Sequence, residues 1–294
     1  MTITRRILML AAGGALAIGQ SRAGEAHAFG GTGLKTSLDA LERRSGGRLG
    51  VAVIDVGSGR RFAHRGDERF PMCSTFKFLL AAAVLAKVDK GTERLDRSVP
   101  VRAGDIIAYS PTTEKFVGRE ASVAVLCEAA VTLSDNAAAN LLLPLVDGPR
   151  GVTAFARSIG DDVTRLDRNE PRLNESTPGD PRDTTTPNAM AADLQRLVLG
   201  EALSEGSRRQ LTDWLVACKT GDARLRAGLP AGWRAGDKTG TGPRGSANDI
   251  AVLWPPRGGP LLVASYLTEN TLESAAANAI HAAVGQAVAA ALDV

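Results

Sequence analysis

The chain has 294 residues, 44% hydrophobic and 23% charged, with a formal net charge of +3. That is enough apolar material to bury a sizeable core in one or two domains, and it excludes a disordered or low-complexity chain. A charge this small gives no electrostatic case for a nucleic-acid or membrane-surface partner.

Residues 1–28 begin with Arg5 and Arg6, continue through an apolar stretch from Ile7 to Ile18 and end in small residues around Ser21, Ala23, Ala26 and Ala28. This is the layout of an export signal. The apolar run is short and broken by Gly13 and Gly14, so no membrane anchor is expected in the mature form. Thr4-Arg5-Arg6-Ile7-Leu8 also resembles a twin-arginine signal, which leaves both the general secretory and the twin-arginine routes open. Either predicts a periplasmic or secreted protein. Cleavage removes three arginines and one glutamate, lowering the formal charge from +3 to +1.

Leu34, Leu38 and Leu41 recur at helical spacing before Gly46-Gly47, predicting a helix and its stop. Leu49 to Val56 and Arg61 to Arg65 flank Gly57-Ser58-Gly59, which reads as a strand hairpin. An apolar helix is expected from Ser74 to Lys87, and helical periodicity interrupted by loops continues to about Cys218. The amphipathic stretch Ser204 to Cys218 is expected to end with Gly221 as its C-terminal cap. Trp233 to Lys238, Ile250 to Trp254 and Leu261 to Thr268 are strand-like, and Leu272 to Leu292 forms an alanine-rich closing helix.

Ser74-Thr75-Phe76-Lys77 sets a lysine one helical turn after a serine. Serine needs a neighbour to take its proton, residues i and i+3 share a helix face, and a helix start offers backbone N–H groups to an oxyanion. Alone, the spacing equally suits a capping serine and a solvated lysine. Three further elements follow in order: Ser134-Asp135-Asn136, Glu170-Pro171-Arg172-Leu173-Asn174 and Lys238-Thr239-Gly240.

With these elements in this order, the chain resembles the class A serine β-lactamases, from about residue 34 to the C-terminus, including Asp237-Lys238-Thr239-Gly240 and Asn248-Asp249-Ile250-Ala251-Val252. The resemblance implies an α/β (α+β) fold, an antiparallel sheet flanked by helices plus an all-helical domain. On this reading residues 29–68 and 217–294 form the α/β domain and 69–216 the all-α domain, with the active site between them.

The resemblance makes Ser74 the nucleophile and Lys77 its partner, with Lys77 or Glu170 acting through water as the acylation base. Glu170 activates the deacylating water and Asn174 orients it. Ser134 relays a proton to the lactam nitrogen, Asn136 bonds the substrate's side-chain amide, and Asp135 holds backbone. Lys238, Thr239, Gly240 and Thr241 line the substrate, with the Thr241 and Ser74 N–H groups as the oxyanion hole and Gly240 allowing close approach. Tyr109 walls the entrance. Ala247 stands where many relatives carry an arginine, and Arg224 matches the position that another branch uses for the substrate carboxylate. Arg168 and Asp183 match an ion pair across the neck of the Glu170 loop. A second Lys-Thr-Gly, at 219–221, follows a helix and is read as a decoy.

The cysteines are Cys73, Cys127 and Cys218, and the positions that pair with the first two in relatives are here Gly242 and Ala81, so neither family disulfide can form. No cofactor or metal is expected: there is no His-Glu-x-x-His motif or cysteine pair for zinc. A Ser-His-Asp hydrolase is excluded by the sparse histidines, His27, His64 and His281, and by the missing Gly-x-Ser-x-Gly. Expected substrates are small β-lactams, penicillins and cephalosporins, with clavulanate-type inhibition and a monomeric enzyme conferring antibiotic resistance. The alternatives are a penicillin-binding DD-peptidase, against which Glu170 and Asn174 argue, and a β-lactam sensor that stays acylated.

Overall fold

A computed structural model describes residues 31–292, so the export signal read at 1–28 lies outside the described residues. In chain order it holds α1 (Gly31–Ser45), β1 (Arg48–Asp55), β2 (Arg61–His64), β3 (Phe70–Pro71), α2 (Phe76–Asp89), β4 (Ser98–Pro100), β5 (Glu120–Ser122) and α3 (Val123–Thr132). There follow α4 (Asn136–Leu142), α5 (Gly148–Ser158), β6 (Thr184–Thr185), α6 (Pro187–Leu194), α7 (Glu205–Val216), β7 (Arg234–Gly242), β8 (Ser246–Trp254), β9 (Leu261–Thr268) and α8 (Ser274–Ala290). The helix, hairpin, strands and closing helix expected at the two ends are all present.

The main sheet has the order β2-β1-β9-β8-β7, antiparallel throughout. The central strands β1 and β9 are buried along nearly their whole length because both faces of the sheet are covered. Val51 and Val53 of β1 join Leu34 and Leu38 of α1 and Ile280 and Val284 of α8 in one core. The alternating residues, Ala52 and Ile54, enter a second core with Met190 and Leu194 of α6 and with Phe76 and every residue from Phe78 to Leu85 of α2. A helix buried on every side has no polar stripe, which is why α2 is apolar without a break from Phe78 to Ala86. Ser74 lies just before it, in a tight 3₁₀ turn over Cys73–Thr75, rather than in the α-helix itself.

Two expectations are corrected. Lys238 does not end its strand: β7 continues through Thr-Gly to Gly242, because β8 supplies pairing along that length, Lys238 opposite Ile250 and Gly240 opposite Asn248. Gly221 is not a left-handed cap: α7 closes at Ala217, and Gly221 is absent from the positive-φ glycines. Its lack of a side chain serves proximity instead, since a Cβ there would stand 1.8 Å from Asp237 Oδ2.

Candidate active site

The backbone before Ser74 is pinned from several sides. Asn248 of β8 donates from Nδ2 to Pro71 O at 2.9 Å and Met72 O at 3.1 Å, and Met72 N–H donates to Asp183 O at 2.9 Å. Gly240 faces the same segment, where a Cβ would meet Met72 O at 2.6 Å, so the space its missing side chain leaves is used by the turn that carries Ser74. Cys73, Tyr109 and Ser134 hold positive φ angles of 45°, 63° and 61°. Each costs on the order of 1–3 kcal/mol, strain that the surrounding contacts sustain.

Around Ser74 Oγ, Lys77 Nζ donates at 3.0 Å, and the serine hydroxyl donates to Glu170 Oε1 at 3.3 Å. Lys77 Nζ also donates to Ser134 O at 2.7 Å and Asn136 Oδ1 at 2.6 Å, and lies 3.1 Å from Glu170 Oε1. Both side chains of that ion pair are wholly buried. Burial lowers the Lys77 pKa, and the Glu170 carboxylate opposes the shift. Asn174 Nδ2 donates to Glu170 Oε2 at 2.5 Å.

Lys238 Nζ donates to Ser134 Oγ at 3.0 Å and to Thr239 O at 2.8 Å. Buried completely and close to Lys77, it has its pKa lowered to about 7, burial being the larger cause. Asp135 touches only its own scaffold, accepting from Thr112 N–H and Thr113 N–H at 2.9 Å and capping α4 through Ala138 N–H. Asn136 N–H donates to Tyr109 O at 2.9 Å, tying the exposed tyrosine to the head of α4.

The Glu170 loop is closed by the ion pair expected across its neck: Arg168 Nε lies 2.5 Å from Asp183 Oδ2, and Asp183 Oδ1 accepts from Asp167 N–H and Arg168 N–H. Asn140, which the motifs did not single out, clamps Glu170 itself, with Oδ1 accepting from Glu170 N–H and Nδ2 donating to Glu170 O, both at 3.0 Å. The available signal was its place four residues after Asn136 on one helix face.

A cleft of about 380 Å³ is lined by Ser74, Tyr109, Ser134, Asn136, Asn174, Thr220, Arg224, Thr239 and Thr241. Lys77 and Lys238 have no exposed surface and touch this cleft through its lining residues Ser74 and Ser134. Arg224 is almost fully buried, and its hydrogen-bond partners are neutral: Asn278 Oδ1 at 2.9 Å, Gly240 O at 2.8 Å, Asn248 O, and Thr241 Oγ1 at 2.7 Å. Burial lowers its pKa, and nearby Asp249 opposes this. Asn278, on α8, was not visible as a site residue because nothing in the sequence says that α8 reaches Arg224. Cys73, Cys127 and Cys218 are buried free thiols, and Gly242 stands beside Cys73, a Cβ there being 2.8 Å from Sγ. Among the described residues, no group of three or more His, Cys, Asp or Glu is placed to hold a metal.

This arrangement sets one hydroxyl between an amine and a carboxylate, a second hydroxyl against another amine, and the Arg224 guanidinium in the cleft lining, where it could meet an anion. Residues 33–292 match the model of the β-lactamase enzyme family. The β-lactamase L2 of Stenotrophomonas maltophilia is 52% identical over 252 residues, covering 85% of this chain and 83% of the relative. The β-lactamase CTX-M-97 of Escherichia coli is 48% identical over 255 residues, covering 87% and 88%. Among solved structures, an ancestral class A β-lactamase superposes with a TM-score of 0.86 at 66% identity, covering 87% of this chain and 98% of that one. A β-lactamase from Xanthomonas campestris pv. campestris gives 0.87 at 52% identity, covering 88% and 97%.

Proposed function

The chain belongs to the class A serine β-lactamases, and on that footing we propose that it opens the β-lactam ring of penicillins and cephalosporins through an acyl-enzyme on Ser74. The observation that carries this reading is the buried Glu170 carboxylate 3.3 Å from Ser74 Oγ, with Lys77 Nζ 3.0 Å from the same oxygen.

Ser74 Oγ attacks the lactam carbonyl carbon, and its proton leaves to Lys77, whose Nζ is 3.0 Å away, or, through water, to Glu170. The Ser74 and Thr241 N–H groups receive the oxyanion. As the C–N bond breaks, the ring nitrogen takes a proton from Ser134, whose hydroxyl is polarised by Lys238. Glu170 then takes a proton from a water that attacks the ester carbonyl, and Ser74 leaves with a proton returned to it. With Nδ2 committed to Glu170, Asn174 has only its Oδ1 to offer that water, and this oxygen has no protein partner among the described residues. The substrate carboxylate lies over Arg224, Thr239 and Thr241, and Tyr109 and Asn136 border the side chain.

We read the cleft as lying between residues 29–68 with 217–294 on one side and 69–216 on the other. The mature protein works as a monomer in the periplasm or outside the cell after loss of residues 1–28, and confers resistance. A chromogenic cephalosporin tests the proposal: the mature protein turns over repeatedly, whereas one equivalent of colour followed by silence would mean a penicillin-binding protein or a sensor. Ser74→Ala abolishes both turnover and acylation, and an acyl adduct on that variant would refute the nucleophile.

A further inference from the structure

The second Lys-Thr-Gly, set aside as a decoy, enters the cleft. Thr220 lines it beside Arg224, Thr239 and Thr241, and its Oγ1 lies 2.5 Å from Thr239 Oγ1. The segment is fixed on both sides. Lys219 N–H donates to Thr132 O at 2.9 Å at the end of α3, and Gly221 is pressed against Asp237 of β7. Thr220 therefore cannot drift away from Thr239 without displacing two secondary-structure elements.

From this contact we infer that Thr220 is a positioning residue for the substrate carboxylate, acting by donating its hydroxyl proton to Thr239 so that Thr239 presents its own proton to the anion. The inference rests on the proposed placement of the carboxylate over Arg224, Thr239 and Thr241. Two hydroxyl oxygens this close have one proton between them. A carboxylate only accepts, so when Thr239 donates to it, the proton between the two threonines must come from Thr220. The oxygen of Thr220 is then free to accept in turn, and Cys218 Sγ stands 3.3 Å away on the protein side. Burial holds that thiol neutral, its pKa pushed up to about 11, and its proton is shared with the nearby Asp237 carboxylate. The pair Thr220, Thr239 thus ends in a donor aimed at the anion, without a further charge.

Thr220→Val removes the hydroxyl and keeps the shape. For a β-lactam with a free ring carboxylate, kcat/KM is expected to fall about three- to tenfold, the loss of one neutral hydrogen bond, carried by KM with kcat little changed. Thr220→Ser is expected to restore it. The methyl ester of the same substrate should be hydrolysed equally by Thr220→Val and the wild type. Because Thr220 acts through Thr239, the Thr220→Val/Thr239→Val double variant should be no worse than Thr239→Val. Wild-type kinetics in Thr220→Val on the free carboxylate, an equal loss on the ester, failure of serine to rescue, or additive losses would each overturn the inference. Thr239→Val separates the two levels. If it loses activity on the free carboxylate while Thr220→Val does not, only the role of Thr220 fails; if it loses nothing, the placement of the carboxylate fails with it.

Discussion

Glu170→Gln separates the two halves of the reaction. The change keeps the side chain's shape and its contact with Asn174, but removes a carboxylate buried 3.1 Å from Lys77 Nζ. A positioned general base contributes about 10²–10⁴ in rate, or roughly 3–5 kcal/mol of barrier, and deacylation should slow by at least that much. Acylation has Lys77 in reserve, since loss of the carboxylate removes what opposes its depressed pKa and leaves the amine free to take the Ser74 proton. Breaking a buried ion pair costs about 3–5 kcal/mol when the remaining charge cannot be relieved. Here Lys77 keeps Ser134 O and Asn136 Oδ1 as acceptors and can become neutral, so the stability loss should fall below that range. Stopped-flow absorbance with a chromogenic cephalosporin should show one equivalent of product per enzyme, and intact mass should show the acyl adduct persisting. Steady hydrolysis within tenfold of the wild type, with no adduct and normal thermal unfolding, would refute Glu170 as the deacylating base.

Arg224→Ala should lower kcat/KM by about ten- to a hundredfold on substrates with a free carboxylate, the worth of a charge-assisted hydrogen bond of about 1.5–3 kcal/mol. Esterified substrates should lose less, and equal losses would show that Arg224 serves only the local fold, where four neutral acceptors depend on it. Lys238, with its pKa lowered to about 7, is a cation below that pH and neutral above it, so kcat/KM should fall as pH rises through about 7. The limb of kcat should lie higher, because a bound carboxylate favours the charged lysine. Lys238→Arg should move the kcat/KM limb upward; an unchanged limb would assign it to another group. Thiol titration should find three reactive cysteines after denaturation and none in the folded protein, where burial raises the Cys73 and Cys218 thiols to about 12 and 11. One thiol instead of three under denaturing, non-reducing conditions would reveal an unforeseen disulfide.

Local patterns carried much of this protein in the sequence. Period-3.6 leucines ending at Gly46-Gly47 fixed α1, the Gly57-Ser58-Gly59 break marked the hairpin, and the apolar stretch before Lys87 announced the helix α2. Short motifs singled out Ser74, Lys77, Ser134, Glu170 and Lys238 because their residue types, in that order along the chain, resemble those of the class A serine β-lactamases. Tertiary structure decided what depends on approach between segments distant in the chain. Strand pairing with β8 carried β7 through the glycines, overriding their weak strand preference. Asn140 meets Glu170 across 30 residues and Asn278 meets Arg224 across 54, and no local pattern encodes such contacts. Thr220 shows the difference most sharply. Its tripeptide is the same as the one at 238–240, and its sequence context pointed to a helix end. Only the packing of that helix end against β7 sets its hydroxyl 2.5 Å from Thr239. A motif specifies which groups are available; the register of the sheet and the packing of helices upon it specify which of them meet.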